Sequence, residues 1–461
     1  MNRRHLHVII VPFIVVLFGL AAAVGLGMAP QLRAASPIYV RTDGDDATCN
    51  GEFDAPATNA PDCAFATIGK GAAEVDGGGT IIVAAGVYTE NVSIDRNLTL
   101  KGAGAGSTIL DGGGTDRVIH VWLGYIADIS GVTIRNGYGS WGGGIRNQGT
   151  LTLSSSTVVS NNGALGAGGI YNSDAAILII SDCIVIGNSS SGEGGGIYND
   201  RSTVFVANSA IISNSADSTG GGIHSSGGKL FMDDSAVRGN RVPGPSASGG
   251  GIFNDGEATL TNVSVSENSS NYRSGGIHNQ DPMTLTNVTI SGNTAVDHGG
   301  GIIHAGGATL TVVNCTIASN TISAGTDVGG ILLSSPATVE NTLLAHNDNA
   351  NCSVSGGNLT SNGHNLDSGN SCGLAATGDI TNTDPLIGPL ADNGGPATGS
   401  GQATLTHALL GGSPAIDAGA CVAGVTTDQR GVARPQGDDC DIGAYEFEGY
   451  FIFLPVMQRG H

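Results

Sequence analysis

The chain has 461 residues, of which 76 are glycine, more than twice the usual share of about 7%. Only 12% of residues are charged, too few for a helix bundle or coiled coil, and no Gly-x-y period marks a collagen. With 39 acids against 18 bases, and only Lys70, Lys101 and Lys229 as lysines, the net charge of −21 excludes a nucleic-acid binder, which needs basic patches.

Residues 1–35 read as an export signal. Arg3 and Arg4 precede an apolar run from Val8 to Ala29, and Arg33-Ala34-Ala35 follows as a small-residue cleavage region. Cleavage near Ala35 is expected; retention as an anchor is the alternative, since the run of 22 residues can span a bilayer. Removing 1–35 takes away three arginines and no acid, so the net charge becomes −24. No second apolar run of membrane length exists, so no transmembrane helix is expected after signal removal, and the protein is expected to be secreted or held at the outer surface of the cell envelope.

Residues 36–115 read as an N-terminal cap and opening coils. Ala66 to Val75 is an amphipathic helix candidate, with Ile68, Ala72 and Val75 on one side, placed to cover an exposed sheet edge. The loop Asp43-Gly44-Asp45-Asp46 is a weak candidate for calcium, which takes oxygen ligands. No other cofactor or metal is expected.

Residues 116–350 repeat. A Gly-Gly-Ile unit recurs with its Ile at 145, 170, 197, 223, 252, 277, 302 and 331, in steps of 25 to 29 residues. An apolar-x-x-Asn unit runs in phase, with Asn at 162, 188, 214, 240, 268, 293, 320 and 347, and a third alternating run includes Leu151/Leu153, Val204/Val206, Leu260, Leu285, Leu310 and Val339. Three short β-like segments per repeat, separated by Gly, Asn, Ser and Asp, leave no room for a 3.6-residue pattern. The expected fold is all-β: a right-handed parallel β-helix of about ten coils with three short strands per coil, stacked about 4.8 Å apart. A propeller blade needs about 40 residues or more.

The position after each repeat Ile holds Arg146, Tyr171, Tyr198, His224, Phe253, His278, Ile303 and Leu332. Strand alternation turns it away from the Ile face, so Tyr171, Tyr198, His224, Phe253 and His278 form a stripe able to bind sugar rings or a partner. The alternative is a stack that stabilises only itself. His120, His304 and His407 read as structural.

Eight cysteines suit export. Cys49/Cys63, Cys352/Cys372 and Cys421/Cys440 are local pairs and expected disulfides. Cys183 and Cys315 are five repeats and about 24 Å apart, beyond the roughly 7 Å a disulfide allows, so both are expected as buried thiols.

A glycosidase needs clustered carboxylates. Of the pairs Asp45-Asp46, Asp233-Asp234 and Asp438-Asp439, only Asp233-Asp234 lies in the solenoid, and Asp234 holds the ladder position of Asn208 and Asn262. They are weak catalytic candidates. The solenoid arginines Arg135, Arg146, Arg201 and Arg238 are scattered, with no acidic cluster facing them. In the terminal region, Arg430 and Arg434 alternate with Asp428, Asp441 and Glu446, which suits a partly buried ion-pair network.

Two stretches resemble known families. Gly194-Gly195-Gly196-Ile197-Tyr198-Asn199 followed by Ile211-Ile212-Ser213-Asn214 resembles the repeats of polymorphic outer-membrane proteins over roughly 130–350, with Val, Ile or Leu where those repeats carry Phe. Membership of the wider pectin-lyase-like superfamily is the broader implication. Thr383-Asp384-Pro385-Leu386, Asn393-Gly394-Gly395-Pro396, Gly412-Ser413-Pro414-Ala415-Ile416-Asp417, Asp428-Gln429-Arg430-Gly431 and Asp441-Ile442-Gly443-Ala444-Tyr445-Glu446 resemble the choice-of-anchor family Q module, so 351–447 is expected to form a C-terminal unit of that kind. Residues 448–461 form an apolar tail, either a sorting signal or a strand packed on the last coil. The resulting expectation is a structural or adhesive cell-envelope protein, a monomer, that binds polysaccharide or a cell-surface partner without catalysis. The alternative is an extracellular polysaccharide lyase or glycoside hydrolase.

Overall fold

A computed structural model describes residues 36–399, 401 and 403–449. The expected signal segment and residues 450–461 of the apolar tail lie outside the described residues.

The chain winds into a right-handed parallel β-helix of about eleven turns. Three parallel sheets of 22, 8 and 13 strands run along its axis. One coil shows the pattern: Ile145–Asn147 and Thr150–Ser154 belong to the first sheet, Thr157–Val159 to the second, and Asn162–Gly166 to the third. Each coil therefore gives the first sheet two short strands, a finer division than three segments per coil. In Ile223–Asp233 and Ile252–Thr261 the two run on as one strand.

Register explains the repeat. Ile145, Ile170, Ile197, Ile223, Ile252, Ile277, Ile302 and Ile331 pair coil to coil and are fully or almost fully buried. The Asn unit is in phase because it packs against the paired glycines. A Cβ on Gly196 would lie 2.6 Å from the Gly222 carbonyl oxygen and 3.0 Å from Asn214 Nδ2, closer than side chains tolerate. At the first rung the ladder residue is Asn161, not Asn162 as the spacing suggested. Asn161 is buried and its Nδ2 donates to Asn188 Oδ1 at 3.0 Å, whereas Asn162 is exposed. A second corner is left-handed throughout: Asn208, Asp234, Asn262 and Asn287 have φ of 46–55°, where Asn and Asp cost least.

The ends are closed differently. A helix, Ile68–Glu74, caps the first coil with Ile68, Ala72 and Val75 buried against it. Thr67 caps its N-terminus, and Glu90 accepts from the Ile68 and Gly69 amides at 2.8 and 2.7 Å. At the other end, solenoid pairing runs past residue 351, through Cys352–Val354 and Leu359–Ser361 to Ile380–Thr381. The chain then folds back along the outer face of the second sheet. Leu409, Ala415 and Ile442 pack on Leu343, Ala345 and Leu366. Farther along, Ser291 Oγ lies 2.8 Å from His407 Nε2, and Gly399 N donates to Asn208 O at 2.7 Å.

All three expected disulfides are present: Cys49–Cys63, Cys352–Cys372 and Cys421–Cys440. The second of these braces the last solenoid coil rather than the returning unit. Cys183 and Cys315 are free and fully buried. Among the described residues no helix is long and apolar enough to cross a membrane.

Candidate functional site

The first strand of each coil in the first sheet sends its second residue outward, and register stacks those residues: His120, Arg146, Tyr171, Tyr198, His224, Phe253, His278. The outward direction agrees with strand alternation. The position is nonetheless not open, because the Gly-rich turn that enters each strand folds over it. Tyr171, Tyr198, His224 and His278 are each under 10% exposed, and Phe253 is half-buried.

The rings are spent largely on one another. Centroid separations along the column are 5.4 Å for Tyr171–Tyr198, 4.6 Å for Tyr198–His224, 4.8 Å for His224–Phe253 and 5.0 Å for Phe253–His278. The last two contacts are face-to-face stacks, so those faces are not available to a sugar. Polar edges are tied down as well: Thr219 Oγ1 and Ser248 Oγ of the covering turns lie 2.7 Å from His224 Nδ1 and 2.5 Å from His278 Nδ1, and Tyr171 donates at 3.0 Å to Oδ2 of Asp200, at the end of the strand Ile197–Asp200. Burial lowers both His224 and His278 to about 4, so both rings are neutral at pH 7.

The column opens at its N-terminal end. Trp122 and Trp141, the chain's two tryptophans, lie there on successive coils, Trp122 just after one column strand, Ile119–Val121, and Trp141 just before the next, Ile145–Asn147. Trp122 follows Ile119–Val121, is 46% exposed, packs at a tilt against His120 with centroids 4.0 Å apart, and donates from Nε1 to Ser93 Oγ at 2.8 Å. Leu123, Tyr125 and Ile126 continue that exposed apolar ridge. Trp141 ends the third-sheet strand Tyr138–Trp141, just ahead of the turn that enters Ile145–Asn147, and packs 5.1 Å from the Tyr171 ring. His120, Arg146 and Gln148 lie on or beside these two strands, with His120 Nε2 2.7 Å from Gln148 Oε1. These contacts link both tryptophans into one partly exposed patch of aromatic and polar side chains, the candidate binding groove. Composition did not point to it; the signal was that both tryptophans fall within 20 residues, one just after a column strand and one just before the next.

The catalytic candidates sit elsewhere. Asp233 ends the strand Ile223–Asp233, and Asp234 turns the left-handed corner between Asn208 and Asn262. Burial, then the neighbouring Asp234, raises Asp233 to about 6, and burial raises Asp234. Among the described residues no Lys, Arg or His comes within ion-pair reach of either carboxylate. Their one side-chain partner is Asn262, whose Nδ2 is 3.5 Å from Asp233 Oδ1.

The acidic loop does not gather its carboxylates around one point. Asp43 pairs with Arg41 at 2.8 Å, Asp45 accepts from the Ala47 and Thr48 amides, and Asp46 accepts from the Ala66 and Thr67 amides. In the described structure these acids serve as an ion-pair partner, a turn residue and a cap to the segment that enters the helix. Cys421, Asp439 and Cys440 cluster closely, but the two sulfurs form a disulfide and cannot ligate as thiolates.

No family model matches the chain, and no curated protein does. Among solved structures, pectate lyase Pel9A is similar with a TM-score of 0.52 at 17% identity, over 89% of this chain and 96% of that one. A complex of XylC with xylose (TM-score 0.42, 11% identity, 89% and 98% covered) and pectin methylesterase from carrot (TM-score 0.29, 12% identity, 77% and 88% covered) are more distant. At these identities the likeness is one of fold: a pectate-lyase-like parallel β-helix.

Proposed function

We propose that this chain is an exported, non-catalytic β-helix of the cell envelope that holds a carbohydrate chain, or a partner surface in its place, along the ring-column face of the first sheet. The single observation that carries the reading is where aromatic faces are open. Along the column they are covered or stacked; at its N-terminal end Trp122 is 46% exposed and Trp141, packed on Tyr171 and Tyr198, keeps part of its ring at the surface. A sugar ring lays its apolar face on such a surface, while polar groups such as Gln148 and His120 fix its orientation. Tyr171, Tyr198, His224, Phe253 and His278 then serve as the supporting column, holding Trp141 in place. The returning unit, with its choice-of-anchor-like motifs, is the part proposed to serve attachment.

Affinity electrophoresis in gels containing neutral and acidic polysaccharides tests this. Trp122→Ala and Trp141→Ala should each weaken retention about fivefold or more for the polymer that retards the wild type, in keeping with about 1–3 kcal/mol per stacked ring. Unchanged retention in both variants would remove the groove as the site. A second reading, a polysaccharide lyase or hydrolase, has one observation in its favour: Asp233 at about 6 lies where a general acid operates.

A further inference from the structure

Charge in this groove is placed in a way the ring column does not require. Elsewhere in the solenoid, Arg135, Arg201, Arg238 and Lys229 close salt bridges at 2.8–2.9 Å to Asp111, Asp200, Glu267 and Glu257. Arg241 and Arg273 extend into solvent. Arg146 does neither. It is half-buried, it pairs with no acid among the described residues, and its Nε is sealed from water without a hydrogen-bond partner. Its guanidinium lies 6.0 Å from the Tyr171 ring centre, the ring that Trp141 also packs against.

A second guanidinium accompanies it. Arg117 is half-buried, donates from Nη1 to the Trp141 carbonyl at 3.4 Å, and has its nearest acid, exposed Asp116, at 3.7 Å. His120 pairs directly beside Arg146 in the strand register. Both arginines hold the His120 imidazole below its ordinary value, after burial itself, and Arg146 adds to the burial that lowers Arg117. The other acid nearby, Asp174, is exposed and accepts from Gln148 and Ser173, both at 2.8 Å. A chain of net charge −21 thus gathers two repelling arginines and a histidine close together beside the two tryptophans. Arg117 has one long, exposed ion pair and Arg146 has none; charge withdrawn from water with so little compensation is costly, and an anion seated beside the two guanidiniums relieves that cost.

We propose that Arg146 and Arg117, with His120, form an anion-binding site bordered by Trp122 and Trp141, so that the carbohydrate taken up there carries carboxylate or sulfate groups. This rests on the groove being the carbohydrate site. The tryptophans receive the apolar face of a sugar ring, and the planar arginine forks receive its acidic substituent in two-point contact. The acidic remainder of the surface repels a polyanion, which confines binding to this groove.

Because the chain has only two tryptophans and both border the groove, their fluorescence reports on the site directly. The protein is titrated with alginate and carboxyl-reduced alginate, and with dextran sulfate and dextran. Alginate, dextran sulfate or both should shift the emission, while the reduced polymer and plain dextran bind at least about tenfold more weakly. Arg146→Gln and Arg117→Gln should each weaken the charged polymer about tenfold or more, whereas Arg238→Gln, at a distant salt bridge, should not. The carboxylate and sulfate arms identify which anion is read. Equal affinity for charged and uncharged polymers, or wild-type affinity in Arg146→Gln, overturns the anion site while leaving the groove standing. No emission change with any of the four overturns both.

Discussion

Asn214 shows how one polar side chain can hold a coil. Its Oδ1 accepts from the amide and from Nδ2 of Asn188, both at 3.0 Å, while its Nδ2 donates to Val185 O at 2.9 Å and to Asn240 Oδ1 at 3.0 Å. Removing it strands donors and acceptors on three neighbours, and each buried orphan costs about 1–3 kcal/mol. Asn214→Ala should therefore lower stability by about 3 kcal/mol or more in chemical denaturation, while Asn162→Ala, one residue off the ladder, should change it by less than about 0.5 kcal/mol. The inward residue after the left-handed corner is read the same way. Cys183 N donates to Ser209 Oγ at 3.0 Å, and Ser209 N to Ser235 Oγ at 3.1 Å, so Cys183 fills a rung that serine fills elsewhere. Burial raises its thiol to about 12. Native protein should leave Cys183 and Cys315 unlabelled by thiol reagents, and Cys183→Ser should fold with stability within about 1 kcal/mol of wild type. Asp233 gives a pH signature. Its folded pKa of about 6 lies above its unfolded value of about 3.9, so it destabilises the fold above about pH 6 and that penalty disappears as pH falls toward 4. Asp233→Asn should be more stable than wild type at pH 7.5, with the difference shrinking as pH falls to 4.

At the scale of the element, the returning C-terminal unit explains why the outward face of the second sheet carries small polar residues in its last coils. Ser264, Ser266, Thr289, Ser291 and Thr316 are buried beneath it. Thr289 donates to Gln429 Oε1 at 2.6 Å, Thr316 Oγ1 accepts from the Ala444 amide at 3.0 Å, and Asn341 Oδ1 accepts from the Ala420 amide at 2.7 Å. The unit is locked internally by Arg434–Glu446 at 2.8 Å and Arg430–Asp428 at 2.7 Å, and all four of these side chains are almost wholly buried. Breaking a buried pair from one side leaves an uncompensated charge, worth about 3–5 kcal/mol. Glu446→Gln should therefore release the unit from the solenoid before the solenoid melts, read as selective proteolysis beyond Thr381 with the coils intact.

At the scale of the whole molecule, the repeat made the solenoid legible, because an in-phase Gly-Gly-Ile and Asn pattern has to place the same atoms in the same corner of every coil. The three disulfides followed from local pairing, and the helix cap from its one apolar side. The covering of Tyr171 to His278 was not legible: alternation tells outward from inward, but it does not tell whether a Gly-rich turn folds back over the outward face. Nor was the docking of residues beyond 381, which depends on contacts more than 100 residues apart, such as Ser291 with His407. The groove between Trp122 and Trp141 needed register, since it joins residues of adjacent coils. The central claim is that this solenoid holds a carbohydrate chain without cutting it. The most direct measurement incubates the protein with acidic and neutral polysaccharides, with and without calcium, and follows polymer size by chromatography. Co-elution with a polymer of unchanged length is the predicted result; a falling polymer size that is lost in the Asp233→Ala, Asp234→Ala double variant would contradict it.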